Sequence, residues 1–183
     1  MRFDGSQPGY RLKFPAASGS EETLDPAGPT LLMGVVNATP DSFYDGGRYA
    51  DTAAAVTRAL ALADAGADII DIGGESSRPG AEPISAGREL ERVIPVIDEL
   101  SGKLEIPISI DTWKSEVAAA ALEHGARIIN DISAFRFDPA MTALAARTQA
   151  VSVLMHMRGD PASMQNRPVY TDLIGELKAF FRE

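Results

Sequence analysis

From Leu31 onward the chain alternates between two patterns: short apolar runs that end abruptly in polar residues, and longer stretches with apolar residues every three or four positions. The apolar runs are Leu31 to Val36, Asp68 to Ile72, Ile106 to Ile110, Arg127 to Asn130 and Val151 to Leu154. They predict strands, being short, rich in Ile and Val, and bounded by turn formers. The stretches between and after them predict helices near Thr52 to Ala65, Ser85 to Leu100, Lys114 to His124, Pro139 to Ala146 and Thr171 to Phe181. Local signals support several of these. Asp51 has the side chain of a helix N-cap, Gly66 and Gly125 can stop the first and third helices, and Gly102 lies just beyond the second.

Five successive strand and helix units with short connections predict a parallel sheet with right-handed crossovers. No Gly-x-Gly-x-x-Gly opens the first helix, so the dinucleotide-binding open sheet lacks its sequence sign and a barrel is preferred. The expected fold is α/β, of the (βα)8 TIM-barrel type. A closed barrel takes eight strands and typically at least ~200 residues, so about five βα units represent it here. Residues 1–30 set Arg2, Phe3, Tyr10 and Phe14 among Gly, Pro and Ser, which predicts an N-terminal hairpin or cap and a linker ahead of a barrel domain at 31–183.

Composition narrows the function classes. With 45% hydrophobic and 23% charged residues over 183 positions, the chain is an ordinary globular domain with one core. A net charge of -9 disfavours a nucleic-acid partner, because no basic surface would release counterions. The absence of cysteine excludes disulfides, thiolate zinc sites and cysteine nucleophiles, and suits the cytoplasm. No apolar run approaches the ~20 residues of a membrane helix, and MRFDGSQPGY lacks the apolar centre of a signal peptide.

Chemistry gathers at the strand ends, where parallel α/β folds bind ligands. After the first strand come Asn37, Thr39, Asp41, Ser42, Phe43 and Asp45. The second ends in DIGGESSRPG, where two glycines permit close backbone approach, Ser76 and Ser77 can donate to an oxyanion, Arg78 can take a phosphate or carboxylate, and Pro79 stiffens the turn. Alone, that segment reads first as a plain Gly/Ser/Pro connection whose Arg78 pairs with Asp41 or Glu75. SIDTWK places Asp111 after the third strand, and INDIS places Asn130 and Asp131 at the matching point of the fourth. Asp111 accepts two N–H donors side by side, and Asn130 offers a donor and an acceptor, the complement of a heterocycle edge. Singly, Asp111 would cap the Lys114 helix and Asp131 would serve a turn; together at adjacent strand ends they favour a ligand. After the fifth strand, His156 lacks partners for zinc, and Met155 and Met157 read as core. Trp113 reads as helix packing, and no Gly-x-Ser-x-Gly elbow supports a serine hydrolase.

In series, NATPDSFYDGG, DIGGESSRPGAEP, SIDTWK, INDIS and LMHMRGDPASMQ closely resemble the dihydropteroate synthase family, from about Leu31 to at least Tyr170. The resemblance implies a (βα)8 barrel enzyme of folate synthesis, joining 6-hydroxymethyl-7,8-dihydropterin diphosphate to 4-aminobenzoate and releasing diphosphate, usually with Mg2+. It implies that Asn37 is the metal-linked asparagine, that Asp111 and Asn130 hold the pterin edge, and that Ile132 and Met155 pack on the ring. Phe43, Ser77, Arg78 and Pro79 match the loops of the aminobenzoate and sulfonamide pocket, with Thr39 and Ser42 beside them and Asp41 steadying Arg78. Ser77 stands where the family usually has threonine. The catalytic expectation falls on Asp111, Asn130, Asp41 and Arg78. The partners expected are these small molecules, sulfonamides as inhibitors and, by family habit, a second copy in a homodimer; nucleic acid and membrane are not expected. The family continues for roughly three more strands beyond the point matching Glu183, so a chain truncated at its C-terminus is expected, and the competence of these residues alone is open. The alternatives are a truncated, non-catalytic pterin-binding module and a pterin-dependent methyltransferase on the same barrel, the latter disfavoured by the TPDSF and ESSRPG loops.

Overall fold

The computed structural model describes residues 12–15, 21–24, 30–39, 47–76, 82–161, 163–164 and 168–182. Strands β1 (Leu12–Pro15) and β2 (Glu21–Leu24) pair antiparallel. Then β3 (Met33–Asn37), β4 (Ile69–Gly73), β5 (Ile108–Asp111), β6 (Ile128–Asp131) and β7 (Val151–Leu154) form one parallel sheet. The helices between and after them are α1 (Gly47–Asp64), α2 (Ala86–Ser101), α3 (Ser115–Glu123), α4 (Ala140–Thr148) and α5 (Leu173–Phe180).

The sheet order is β3-β4-β5-β6-β7. A doubly wound sheet reverses its order at a switch point and carries helices on both faces. Here the order never reverses: α1 packs on β3 and β4, and each of α2, α3 and α4 packs beside the helix before it. Equal-handed crossovers without reversal put every helix on one face. This is the wall of a (βα)8 barrel, five units long, with its strands' other face turned to the barrel axis.

Alternation along the strands follows from that geometry. Val36, Ile70, Ile72, Ile108 and Ile110 pack on the helix side with Ala59, Val93, Val96, Ile97, Leu100 and Val117. Ile129 joins Ala118, Met141 and Leu144 under α3 and α4. Each fully buried Val, Ile or Leu contributes about 1.5–3 kcal/mol, enough to hold α2 together across its internal Pro95. Gly34 lets β3 approach α1 closely: a Cβ there would lie 3.1 Å from Leu62 Cβ of α1 and 3.2 Å from Ile70 Cδ1.

Element positions agree with the hydrophobic pattern to within a few residues, with one correction at the start of α1. Helix α1 begins at Gly47, so Asp51 lies inside it and does not cap it; Arg48, Tyr49 and Ala50 are all helix-compatible and extend it by a turn. Asp111 does not cap α3. The Ser115 N–H donates to Asp138 Oδ2 (2.8 Å) and the Lys114 N–H to Thr112 Oγ1 (3.2 Å), which leaves the Asp111 carboxylate free for the concave face. Gly66 and Gly125 do end their helices, with φ of 99° and 122°.

Candidate functional site

Strand register sets the concave side chains in two rows. The lower row is Val35, Asp71, Ser109, Ile128 and Val151; the upper is Asn37, Gly73, Asp111, Asn130 and Val153. The lower row is largely apolar. The upper row, at the carboxyl ends of the strands, brings an amide, a carboxylate and a second amide together around a glycine. That glycine keeps the centre open: a Cβ on Gly73 would lie 3.4 Å from Asp111 Oδ2 and 3.8 Å from Asn37 Oδ1. The Asn37 oxygen and the Asp111 carboxylate therefore border one small space that only a hydrogen occupies.

Asn130 is tied to the row below. Its Nδ2 donates to Asp71 Oδ2 at 3.0 Å, reaching from β6 to β4 over the intervening β5. Strands two apart in a flat sheet stand about 10 Å from each other, so the bond records inward curl of the sheet. Asp71 is only 2% exposed. Its Oδ1 and the Ser109 Oγ are buried without a hydrogen bond.

The electrostatics are those of crowded carboxylates. Burial pushes Asp111 up from 3.8 to about 7, and the charges of Asp71, Glu89, Asp131 and Glu75 add to the shift. Asp71 is also raised by burial, with the neighbouring Ser109 hydroxyl and the Asn130 amide pulling against it. A ligand presenting N–H donors, or a cation, would reverse these shifts by favouring the ionised form.

Behind the row, a buried ion cluster fixes the base of the second loop. Lys114, at the start of α3, pairs with Glu75 and with Glu89 of α2. Burial works to lower the Lys114 pKa, but the two carboxylates outweigh it and the net shift is upward. Glu75 Oε1 also accepts the Ile84 N–H (3.2 Å), and Arg92 donates to the Gly74 carbonyl (2.7 Å).

The other expected residues are placed as follows. Thr39 is half-buried two residues beyond Asn37, and Ile132 and Met155 are half-buried directly after β6 and β7. Asp41, Ser42, Phe43, Ser77, Arg78 and Pro79 lie outside the described residues. Asp131 serves a turn: its Oδ1 accepts the Ser133 N–H and hydroxyl, both at 2.7 Å, and its Oδ2 the Phe135 N–H at 3.2 Å. Trp113 packs edge-on against Phe137, and Met157 is buried while Met155 is not. His156 packs edge-on against Phe180 and at a tilt against Tyr170, beside a separate cavity of about 380 Å³. Asp71 and the Glu75–Lys114–Glu89 cluster were not anticipated. Their signals are a carboxylate set in the apolar run IIDIG and a glutamate one helical turn before Val93 on the apolar face of α2.

A barrel wall with hydrogen-bonding groups at its strand ends defines a class, and the family comparison agrees. Residues 33–183 match the pterin binding enzyme family, and the chain belongs to it. Among its relatives, the dihydropteroate synthase of Synechocystis is 52% identical over 152 residues, which are 83% of this chain and 53% of that protein. The Escherichia coli dihydropteroate synthase is 45% identical over 83% of this chain and 54% of its own length. The chain thus spans about half the length of these curated relatives. Of solved structures, dihydropteroate synthase of Xanthomonas albilineans with 4-aminobenzoic acid superposes with a TM-score of 0.79 at 42% identity, covering 94% of this chain and 59% of that one. The Yersinia pestis enzyme in a sulfonamide complex gives 0.78 at 40% identity, covering 93% and 60%.

Proposed function

We propose that this protein is a dihydropteroate synthase, joining 6-hydroxymethyl-7,8-dihydropterin diphosphate to 4-aminobenzoate. The observation that carries this is the open row Asn37, Gly73, Asp111 and Asn130, supported by 52% identity to a synthase. Asp111, ionised, accepts two N–H groups of the pterin edge, and Asn130 supplies one donor and one acceptor next to it. The bond between the pterin methylene carbon and the diphosphate oxygen breaks, its electron pair leaving with diphosphate. The amine of 4-aminobenzoate then forms the C–N bond and loses a proton. Asp111 carries its charge in a site whose carboxylates are already desolvated, where it stabilises positive charge developing on the pterin more than it could in water.

Mg2+ fits this donor set. It takes oxygen ligands, uses few protein groups and keeps waters and substrate phosphates; the Asn37 Oδ1, bordering the open space over Gly73, is a donor of that kind. When bound, the ion would neutralise charge on the departing diphosphate. Thr39, Ser42, Phe43, Ser77, Arg78 and Pro79 belong to the aminobenzoate pocket in this reading, Asp41 steadies Arg78, Ile132 and Met155 pack on the pterin, and sulfonamides compete for the pocket. A cytoplasmic homodimer completes it. No described helix is long and apolar enough to cross a membrane.

The test is release of diphosphate from the dihydropterin substrate by the full-length gene product with Mg2+, with and without 4-aminobenzoate. Release that requires the amine is expected. Release indifferent to it, or none, would overturn the proposal.

A further inference from the structure

Asp71 is out of place in the row it occupies. Its register neighbours Val35, Ser109, Ile128 and Val151 carry no charge, yet its carboxylate is 2% exposed and no cation pairs with it among the described residues. Burying a carboxylate without a counter-ion is costly, and a neutral side chain of similar size would fill the space without that cost. The Asn130 amide donates to Asp71 from 3.0 Å away and two strands over.

An asparagine amide can turn end for end at little steric cost, and turning it exchanges donor for acceptor. A ligand edge reads that order. An ionised carboxylate can only accept, so a carboxylate beneath Asn130 selects the nitrogen end and leaves Oδ1 and the second amide hydrogen for whatever lies above. We propose that Asp71 is a positioning residue: it fixes the orientation of Asn130 and through it the donor and acceptor order offered to the pterin. This rests on the pterin site proposed above.

The substitution Asp71→Asn keeps size and shape but supplies both a donor and an acceptor, and so abolishes the selection. Binding of 6-hydroxymethylpterin to the full-length protein is measured by calorimetry for the wild type, D71N, N130A and D71N/N130A. D71N is expected to weaken binding about tenfold, the scale of a hydrogen bond to a charged group. In the N130A background it is expected to change nothing further, because the group through which Asp71 acts is gone. A merely structural Asp71 would cost the same in both backgrounds, and that result, or no loss in either, overturns the positioning role. If D71N does not fold, Asp71→Ser, whose hydroxyl also both donates and accepts, is taken through the same cycle. A wild-type protein that does not bind the pterin overturns the pterin site itself, and this inference with it.

Discussion

Asp111 couples the site to pH. Burial and four neighbouring carboxylates hold its proton to about pH 7, whereas the unfolded chain releases it near 3.8. Between those values the folded state binds the extra proton, so this group's contribution to stability falls as pH rises from about 4 to 7. Ligand N–H donors need the ionised form, so binding below about pH 7 must expel the proton. Pterin affinity, measured between about pH 5 and pH 9, is therefore expected to rise and level off above about 7. Asp111→Asn should bind at least about tenfold more weakly and lose the slope; a slope that survives in D111N would assign the titration elsewhere. Gly73 tests the space itself. Gly73→Ala places its Cβ at ordinary contact distance from Asp111 and Asn37, so thermal unfolding should change by no more than about 1 kcal/mol while pterin binding is lost.

At the scale of elements, the Glu75–Lys114–Glu89 cluster binds the end of β4, α2 and the start of α3 to one another. Lys114→Met strands two desolvated carboxylates, Glu89 being fully buried, and urea unfolding should show a loss of about 3–5 kcal/mol. Adding Glu89→Gln should recover part of it. Gly125→Ala combines a φ of 122° with a Cβ 2.6 Å from Ser101 Cβ, and should destabilise by more than ~1 kcal/mol in the same assay. The elements themselves were legible in the sequence because each has a local cause: Ile and Val runs for β4 and β5, and glycines that the C-termini of α1 and α3 need. So was the placing of Asn37, Asp111 and Asn130 in one row, since the carboxyl ends of parallel strands lie at the same edge of the sheet. The start of α1 was not, because Asp51 has the chemistry of a cap and only the chain before it shows that the helix has already begun. Asp71 and Glu89 were missed for a different reason. Their partners, Asn130 and Lys114, lie far along the chain, and only strand register and helix packing bring them together.

For the whole molecule, the barrel wall is sealed by helices on one face, while its concave face is exposed at the two edge strands and buried at its centre, where Asp71, Ser109 and Ile128 are at most 2% exposed. Val35 is 55% exposed although it lies mid-strand, and Val153 on the opposite edge is also exposed. Strand β3 pairs only with β4, and β7 only with β6, among the described strands of this sheet. Unpaired edges beside apolar surface invite association. Residues 1–183 on their own should bind an apolar dye and sediment with a concentration-dependent mass, against which the net charge of -9 gives only weak protection. A monodisperse monomer that ignores the dye would mean that these edges are covered in solution.

Asn37, Gly73, Asp111 and Asn130 of the upper row come one from each of β3, β4, β5 and β6. No pair of neighbouring segments holds enough of it to grip a ligand, so a folding chain acquires affinity only once four strands have docked in register. A pterin added during refolding would then arrive too late to hasten the rate-limiting step. It would instead slow the return journey, lowering the unfolding rate in proportion to occupancy and leaving the refolding rate unchanged. The binding site would act as a latch on finished molecules, setting their lifetime without guiding their assembly.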